Sequence, residues 1–364
     1  MRRCRWRPIV VLALLILAGC TADPESGESS TATPSITEAP EAPSTSSTPG
    51  PFEGLASPPA PTVDKVPRIT TVEAAGGQTI RATGAVDWTL VSDGIAWVTG
   101  LGGGMARFDA TTGRELPSVK IPQKPCAAAA AGFGSIWTAT CGEPGIAKIE
   151  PSGKIDWLPV PELATNEGES TIGAGEGAVW ALEDLAEPEF CSGCGLVRID
   201  PNRAEIAAHY EIPPGATAVR AGLGGVWIVY SGENAVLRVD PDTGKVVAAI
   251  AVGQSPLFFD IGEGGVWVMN QLDGSVSRID PDANEVVATI AVEGRINGGD
   301  LTVGAGSVWL RGSYELVAQI DPKTDRVVAR FGNPEGSGSA SAGDGMLWVS
   351  AHDVAELYRI PIGE

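Results

Sequence analysis

Side chains that could do chemistry are sparse in this chain of 364 residues. It has two histidines, and only His352, followed by Asp353, stands in a loop-like segment where an imidazole could serve as a general base. His209 lies in a run that reads as an outer strand. There is no Ser/His/Asp spacing, phosphate-binding glycine loop or metal-ligand motif. Tyr230, Asn270, Arg295, Arg311, Tyr314 and Asp353 are the polar residues expected on a ligand-binding face. Tyr, Asn, Arg and carboxylates together suit a sugar, a peptide or another small polar ligand. Cys126, Cys141, Cys191 and Cys194 are expected as two local disulfides, because an exported domain is an oxidising context. The pair Cys191-Ser192-Gly193-Cys194 lacks the βαβ setting of a redox CxxC, and Cys126 and Cys141 lack zinc-ligand spacing. No metal or other cofactor is expected.

These residues must be positioned by a repeat. The phrase Gly-x-Gly-x-apolar-Trp recurs seven times, once with Ser92 in place of its first glycine, and is clearest as Gly262-Glu263-Gly264-Gly265-Val266-Trp267. It places Trp97, Trp137, Trp180, Trp227, Trp267, Trp309 and Trp348 at intervals of 40, 43, 47, 40, 42 and 39 residues. A period near 42 signals a tandem architecture. Each repeat reads as four short antiparallel strands. Asp240-Pro241-Asp242-Thr243-Gly244 is a turn with Pro where φ is fixed and Gly where φ must be positive, which explains its aspartates without calcium. Val266, Trp267 and Val268 are consecutive apolar residues, so that strand must be covered on both faces. Seven sheets packed radially meet this demand, and the expected fold is an all-β, seven-bladed propeller over 66–364. The last repeat supplies only three strands, and 67–73 resembles 287–293. An N-terminal strand is therefore expected to complete the last blade and close the ring. Loops between second and third strands share a face with the blade connections, and function is expected there, including the enlarged loop 183–195.

The N-terminus carries an address. Arg2, Arg3, Arg5 and Arg7 precede a short apolar run, and Leu17-Ala18-Gly19-Cys20 matches the bacterial lipobox. Residues 1–19 are expected to be a signal peptide and Cys20 the site of lipidation, a stable membrane anchor. Residues 20–65, rich in Pro, Ser and Thr, read as a disordered linker spanning roughly 35–40 Å. The expected location is the outer face of the bacterial cytoplasmic membrane or the cell surface. The formal charge of −20 becomes about −24 without the signal's four arginines, which repels phosphate and argues against nucleic-acid binding.

The phrases Gly-x-Gly-x-Val-Trp-Val and Arg-Ile-Asp-Pro-x-Thr-Gly-x-Val-Val-Ala resemble YVTN-type propellers and the superfamily that includes virginiamycin B lyase. The blade containing Gly145-Ile146-Ala147-Lys148-Ile149-Glu150-Pro151-Ser152-Gly153 is the most lyase-like. The resemblance implies the propeller fold and a magnesium-dependent ring opening served by histidine and glutamate. Within three residues after the tryptophans, Glu183 is the only acid, and neither histidine stands there. The function expected is a monomeric, non-enzymatic envelope module that binds a protein, peptide or glycan. The alternative is a lyase or hydrolase using His352, loop carboxylates and a divalent cation.

Overall fold

The computed structural model describes residues 50–82, 86–100, 103–165, 171–185, 191–292 and 294–363. The expected signal peptide, Cys20 and the linker as far as residue 49 lie outside the described residues. Strands and turns account for all regular structure described. The strands form seven sheets; in the first five the strands run outward from the axis in sequence order, and in the last two an N-terminal strand is added at the outer edge. The inner strands of blades one to seven are Thr89–Ser92, Pro125–Gly132, Ile172–Gly175, Ala218–Gly222, Pro256–Gly262, Asp300–Gly304 and Ala340–Gly343. The second strand of blade five, Gly265–Asn270, is buried at every position, as two-sided packing requires.

The repeated phrase has a separate physical reason for each of its parts. Its central residues form a two-residue hairpin turn with both φ values positive, for example Glu263 at 48° and Gly264 at 71°. The first glycine allows the neighbouring blade to come close. A Cβ on Gly262 would sit 2.8 Å from Val303, and one on Gly175 would sit 2.2 Å from the Ala221 carbonyl. That same glycine's carbonyl accepts the indole N–H of Trp137, Trp180, Trp227, Trp267 or Trp309 in its own blade, at 2.9–3.1 Å. Across the sheet, Arg107, Lys148, Arg198, Arg238 and Arg278 pair with the tryptophans and hold their charge 5.1–5.7 Å from the ring centroids. Lys148, Arg238 and Arg278 then donate to Pro201, Pro281 and Pro322, the carbonyls of the next blade's Asp-Pro turn. All seven tryptophans are buried core residues. The Asp-Pro turns close on themselves: Asp240 accepts from the Thr243 N–H and hydroxyl, both at 2.8 Å, and these bonds lower its pKa.

Ring closure comes from the N-terminal chain, but not from the residues that resemble an outer strand. Gln78–Arg81 pairs antiparallel with Glu356–Pro361 and completes blade seven. Ile69–Thr70, from the segment expected in that place, instead adds a fifth, parallel strand to blade six beside Arg330 and Phe331. Strand-like composition placed 67–73 at an outer edge but could not select which edge. Val72 decides it by burying against Leu316 and Val317 of blade six, after which the chain bends at Gly76 and Gly77. Gly77 has no room for a side chain, since a Cβ would meet Val72 at 2.7 Å and the Arg359 carbonyl at 2.9 Å.

Contact with the propeller also starts earlier than residue 66. Phe52 packs on Tyr230 of blade four, with centroids 4.9 Å apart. Thr62 forms a parallel bridge to Ile290 on the outer strand of blade five, and Asp64 pairs with Arg326 of blade six at 3.1 Å. Deleting 78–81 should lower the melting temperature by at least about 10 °C, because it opens the ring. Deleting 66–70, which removes only the added fifth strand, should cost a few degrees. Differential scanning calorimetry of the two deletions checks the order, and equal effects would contradict this seam.

Candidate functional site

Each inner strand is a sheet edge whose outward N–H and C=O groups face the axis, where neighbouring blades do not join into one sheet. Side chains satisfy several of these groups. The Val303 N–H donates to Asp260 at 2.8 Å, and the Ala340 N–H to Asp300 at 3.2 Å. The Val91 N–H donates to Ser341 at 2.9 Å, and the Thr89 N–H to Ser339 at 2.6 Å. Arg220 donates to the Ile172 carbonyl at 3.2 Å. The inner-strand residue paired with each tryptophan stands seven places before it: Leu90, Ala130, Gly173, Arg220, Asp260, Thr302 and Ser341. They line an axial chamber of about 430 Å³ toward the hairpin-turn face. Arg220, Asp260 and Asp300 gather on one side of it, with Arg220 Nε 4.0 Å from an Asp260 oxygen. Asp260 is enclosed by protein while 26% of its side-chain surface opens onto the chamber itself. Burial pushes the Asp300 carboxyl up to about 8, with Arg220 opposing the shift and Asp260 adding to it.

Toward the other face the axis opens into a basin of about 300 Å³. Trp88 of blade one and Phe258 of blade five, both largely buried, approach to 6.3 Å and form its aromatic floor. Each stands nine residues before its blade's tryptophan, where other blades carry Ala128, Thr171, Ala218, Asp300 and Ser339. The rim has Asp87, Gln271, Ser337 and His352. His352 Nδ1 lies 2.7 Å from Asp353, whose other oxygen accepts the Ser337 N–H at 3.1 Å. One imidazole nitrogen is thus held by a carboxylate. Burial raises the Asp87 pKa, opposed by the nearby His352.

No family model matches the chain, and no curated protein does. Solved structures do match. A streptogramin B lyase structure superposes with a TM-score of 0.63 at 16% identity, covering 79% of this chain and 97% of the other. Virginiamycin B lyase from Staphylococcus aureus gives a TM-score of 0.62 at 16% identity, covering 79% and 99%. The fold is that of virginiamycin B lyase. U3-55K fits nearly as well, with a TM-score of 0.61 at 10% identity over 79% and 98% of the two chains. The likeness to the lyase is therefore one of backbone and carries no residue assignment.

On this lyase-type frame the polar residues expected to share a ligand face separate into two groups. Asp353 is exposed beside the basin, and Arg295 and Tyr314 are exposed as well. Tyr230, Asn270 and Arg311 are buried and hold the fold together. The Tyr230 hydroxyl donates to the Pro213 carbonyl at 2.9 Å, while Asn270 Nδ2 donates to Ser275 and Ser277 at 3.0 and 2.9 Å. Arg311 is caged by main-chain carbonyls of Glu335, Gly336, Ser350 and Gly312, joining blade six to blade seven. Burial, the largest influence on it, lowers its pKa to about 10. Glu183 is buried too, 2.9 Å from His209 on the outer strand, and burial raises its pKa against that partner's pull. Both cysteine pairs are bonded: Cys126 to Cys141 with Cα atoms 5.1 Å apart, and Cys191 to Cys194 at 5.9 Å.

Sequence reasoning missed Arg220, Asp260, Trp88 and Phe258. Their signal was present at fixed offsets of seven and nine residues before each tryptophan, where most blades carry small or neutral residues. Asp300 supplies a pH test. Its folded pKa exceeds its ordinary value of 3.8, so its contribution to stability is full below that value and fades as pH rises through about 8. The melting-temperature gap between the wild type and Asp300→Asn should therefore shrink from pH 5 to pH 9. A gap that is constant or widens would contradict the assignment.

Proposed function

We propose that this chain is a lipid-anchored envelope protein whose propeller is a non-enzymatic binding module for a protein, peptide or glycan. Cys20 carries the lipid, and the outer face of the membrane or the cell surface is the location. The observation that carries the binding reading is the loop-face basin, with Trp88 and Phe258 as a rigid aromatic floor beneath Gln271, Ser337 and His352. An apolar floor with a few convergent polar groups suits a partly polar ligand, because the floor gives contact area and the rim gives orientation. Carbohydrate and peptide arrays probed with the purified chain would find the ligand class. Gln271→Ala and His352→Ala should each then weaken binding about fivefold to tenfold, the worth of one hydrogen bond, with unchanged melts. Full affinity in both variants would remove the basin from the reading. For the anchor, Cys20→Ser should move the protein from the membrane fraction to the soluble fraction, as followed by immunoblot, and unchanged fractionation would contradict lipidation.

A second reading, a lyase or hydrolase, is favoured by the His352–Asp353 pair, which leaves Nε2 for proton transfer to a substrate in the basin. The residues do not fit the divalent cation that the sequence resemblance to the lyase implies. Among the described residues no group of three or more His, Cys, Asp or Glu side chains could hold a metal. Asp353 is already engaged by His352 and by the Ser337 N–H. A turnover lost in His352→Ala while ligand binding persists would move the assignment to this second reading.

A further inference from the structure

Each blade's fourth strand lies at the rim, and an open sheet edge accepts another strand unless something blocks it. Among the described residues, blades one, two, three and seven carry Pro117, Asp156, Glu211 and Arg81 within those strands. Blades five and six are covered instead by the N-terminal chain, and in the same way. On blade five the Thr62 N–H donates to the Thr289 carbonyl at 2.8 Å, and the Thr62 carbonyl accepts the Ala291 N–H at 3.1 Å. On blade six Thr70 lies opposite Phe331, and its carbonyl accepts the Gly332 N–H at 2.9 Å. Counted from the Asp-Pro turns, Ala291 and Gly332 are the same position. Two threonines eight residues apart thus make one bond on successive blades.

Blade four has the same edge without that cover. Its fourth strand, Val246–Ala251, differs from Val286–Ala291 of blade five only where Ala249 replaces Thr289. The strand contains no charge and no proline, and Lys245 stands before it at the turn end. The Val252 N–H donates inward to the Asn234 carbonyl at 2.9 Å. By antiparallel alternation the Ala249 carbonyl and the Ala251 N–H therefore point outward. Among the described residues, no strand or bridge pairs with that outer side. The chain itself holds a match for it. Pro34-Ser35-Ile36-Thr37, outside the described residues, repeats three of the four residues of Pro67-Arg68-Ile69-Thr70, which covers blade six. Fifteen residues after Thr37, Phe52 packs on Tyr230 of blade four itself. That length reaches about 50 Å when extended. We propose that the outer edge of blade four is the docking site of residues 34–37, added as a parallel strand with Thr37 opposite Ile250. Thr37 donates its N–H to the Ala249 carbonyl and accepts the Ala251 N–H. Docking does not require lipidation. Thr37 stands 17 residues after Cys20, so an anchored Cys20 leaves at most about 60 Å of extended chain between membrane and blade.

The test is hydrogen–deuterium exchange of the detergent-purified mature chain, read by mass spectrometry at the Ala251 amide. Thr37→Pro removes the donating N–H from outside the propeller, and the Ala251 amide should then exchange at least about tenfold faster. Thr37→Ala keeps that N–H and should keep the protection. Ser46→Pro, in the same N-terminal segment but away from 34–37, should leave exchange unchanged. Matching melting curves of the three variants establish that the ring is intact. Unchanged exchange in Thr37→Pro, or an equal rise in Ser46→Pro, would overturn the proposal. Protection that falls on dilution would assign the edge to a second copy of the chain and overturn it as well.

Discussion

The whole architecture depends on how one blade grips the next. Hydrogen bonding along a propeller runs within blades, so blade-to-blade contact must come from shape and from a few directed groups. Here the grip is a three-part joint of glycine, tryptophan and cation. The glycine removes a Cβ that would strike the following blade, and its carbonyl fixes the indole. The ring then supports a guanidinium that reaches the next blade's Asp-Pro turn, as Arg278 does to Pro322. A cation held against an indole and a carbonyl contributes by electrostatics as well as contact, on the order of 1–2 kcal/mol where it is shielded from water. Recurring around the ring, such joints make the blades interdependent.

This explains why the fold could be read so well from sequence. Trp267, Gly262 and Arg278 are local signs of a local joint, and the period exposes them. The closure was legible only in outline, because 67–73 has the composition of an outer strand and composition does not name a partner. The outcome rests on Val72 finding a slot in blade six, a non-local fact. The same limit applied to Tyr230, Asn270 and Arg311. Each is a polar residue at a loop-facing strand end, the right type for a ligand site, and each is spent on internal hydrogen bonds. Burial across blades cannot be seen in one segment. The axial residues are the opposite case, since their fixed offset from each tryptophan makes them readable once the register is known.

The repeat also divides the molecule into what is shared and what is singular. Identical positions in seven blades make the frame, and departures from that pattern accumulate on the axis. Trp88 and Phe258 fill a layer that is otherwise small, dividing the axis into a loop-face basin and a turn-face chamber with different chemistry. One offers an imidazole held by a carboxylate, and the other sets Arg220 beside Asp260 and Asp300 across from an aliphatic wall. A radial fold gives this freedom because inner-strand side chains meet around the axis without being needed to hold each sheet together.

The seam at blade seven has a consequence in time. Gln78 and Arg359 are hydrogen-bond partners separated by 281 residues, so one side of the last sheet is synthesised near the beginning of the propeller and the other near its end. Nearly the entire chain must exist before the ring can shut, and until then blade seven lacks its outer strand while Trp348 lacks the Ala110 carbonyl of blade one. Contacts of such long range slow folding, because loop-closure entropy is spent before they form. The early blades must therefore persist as an open arc, and their exposed flanks are the surfaces an assembling chain has to protect longest.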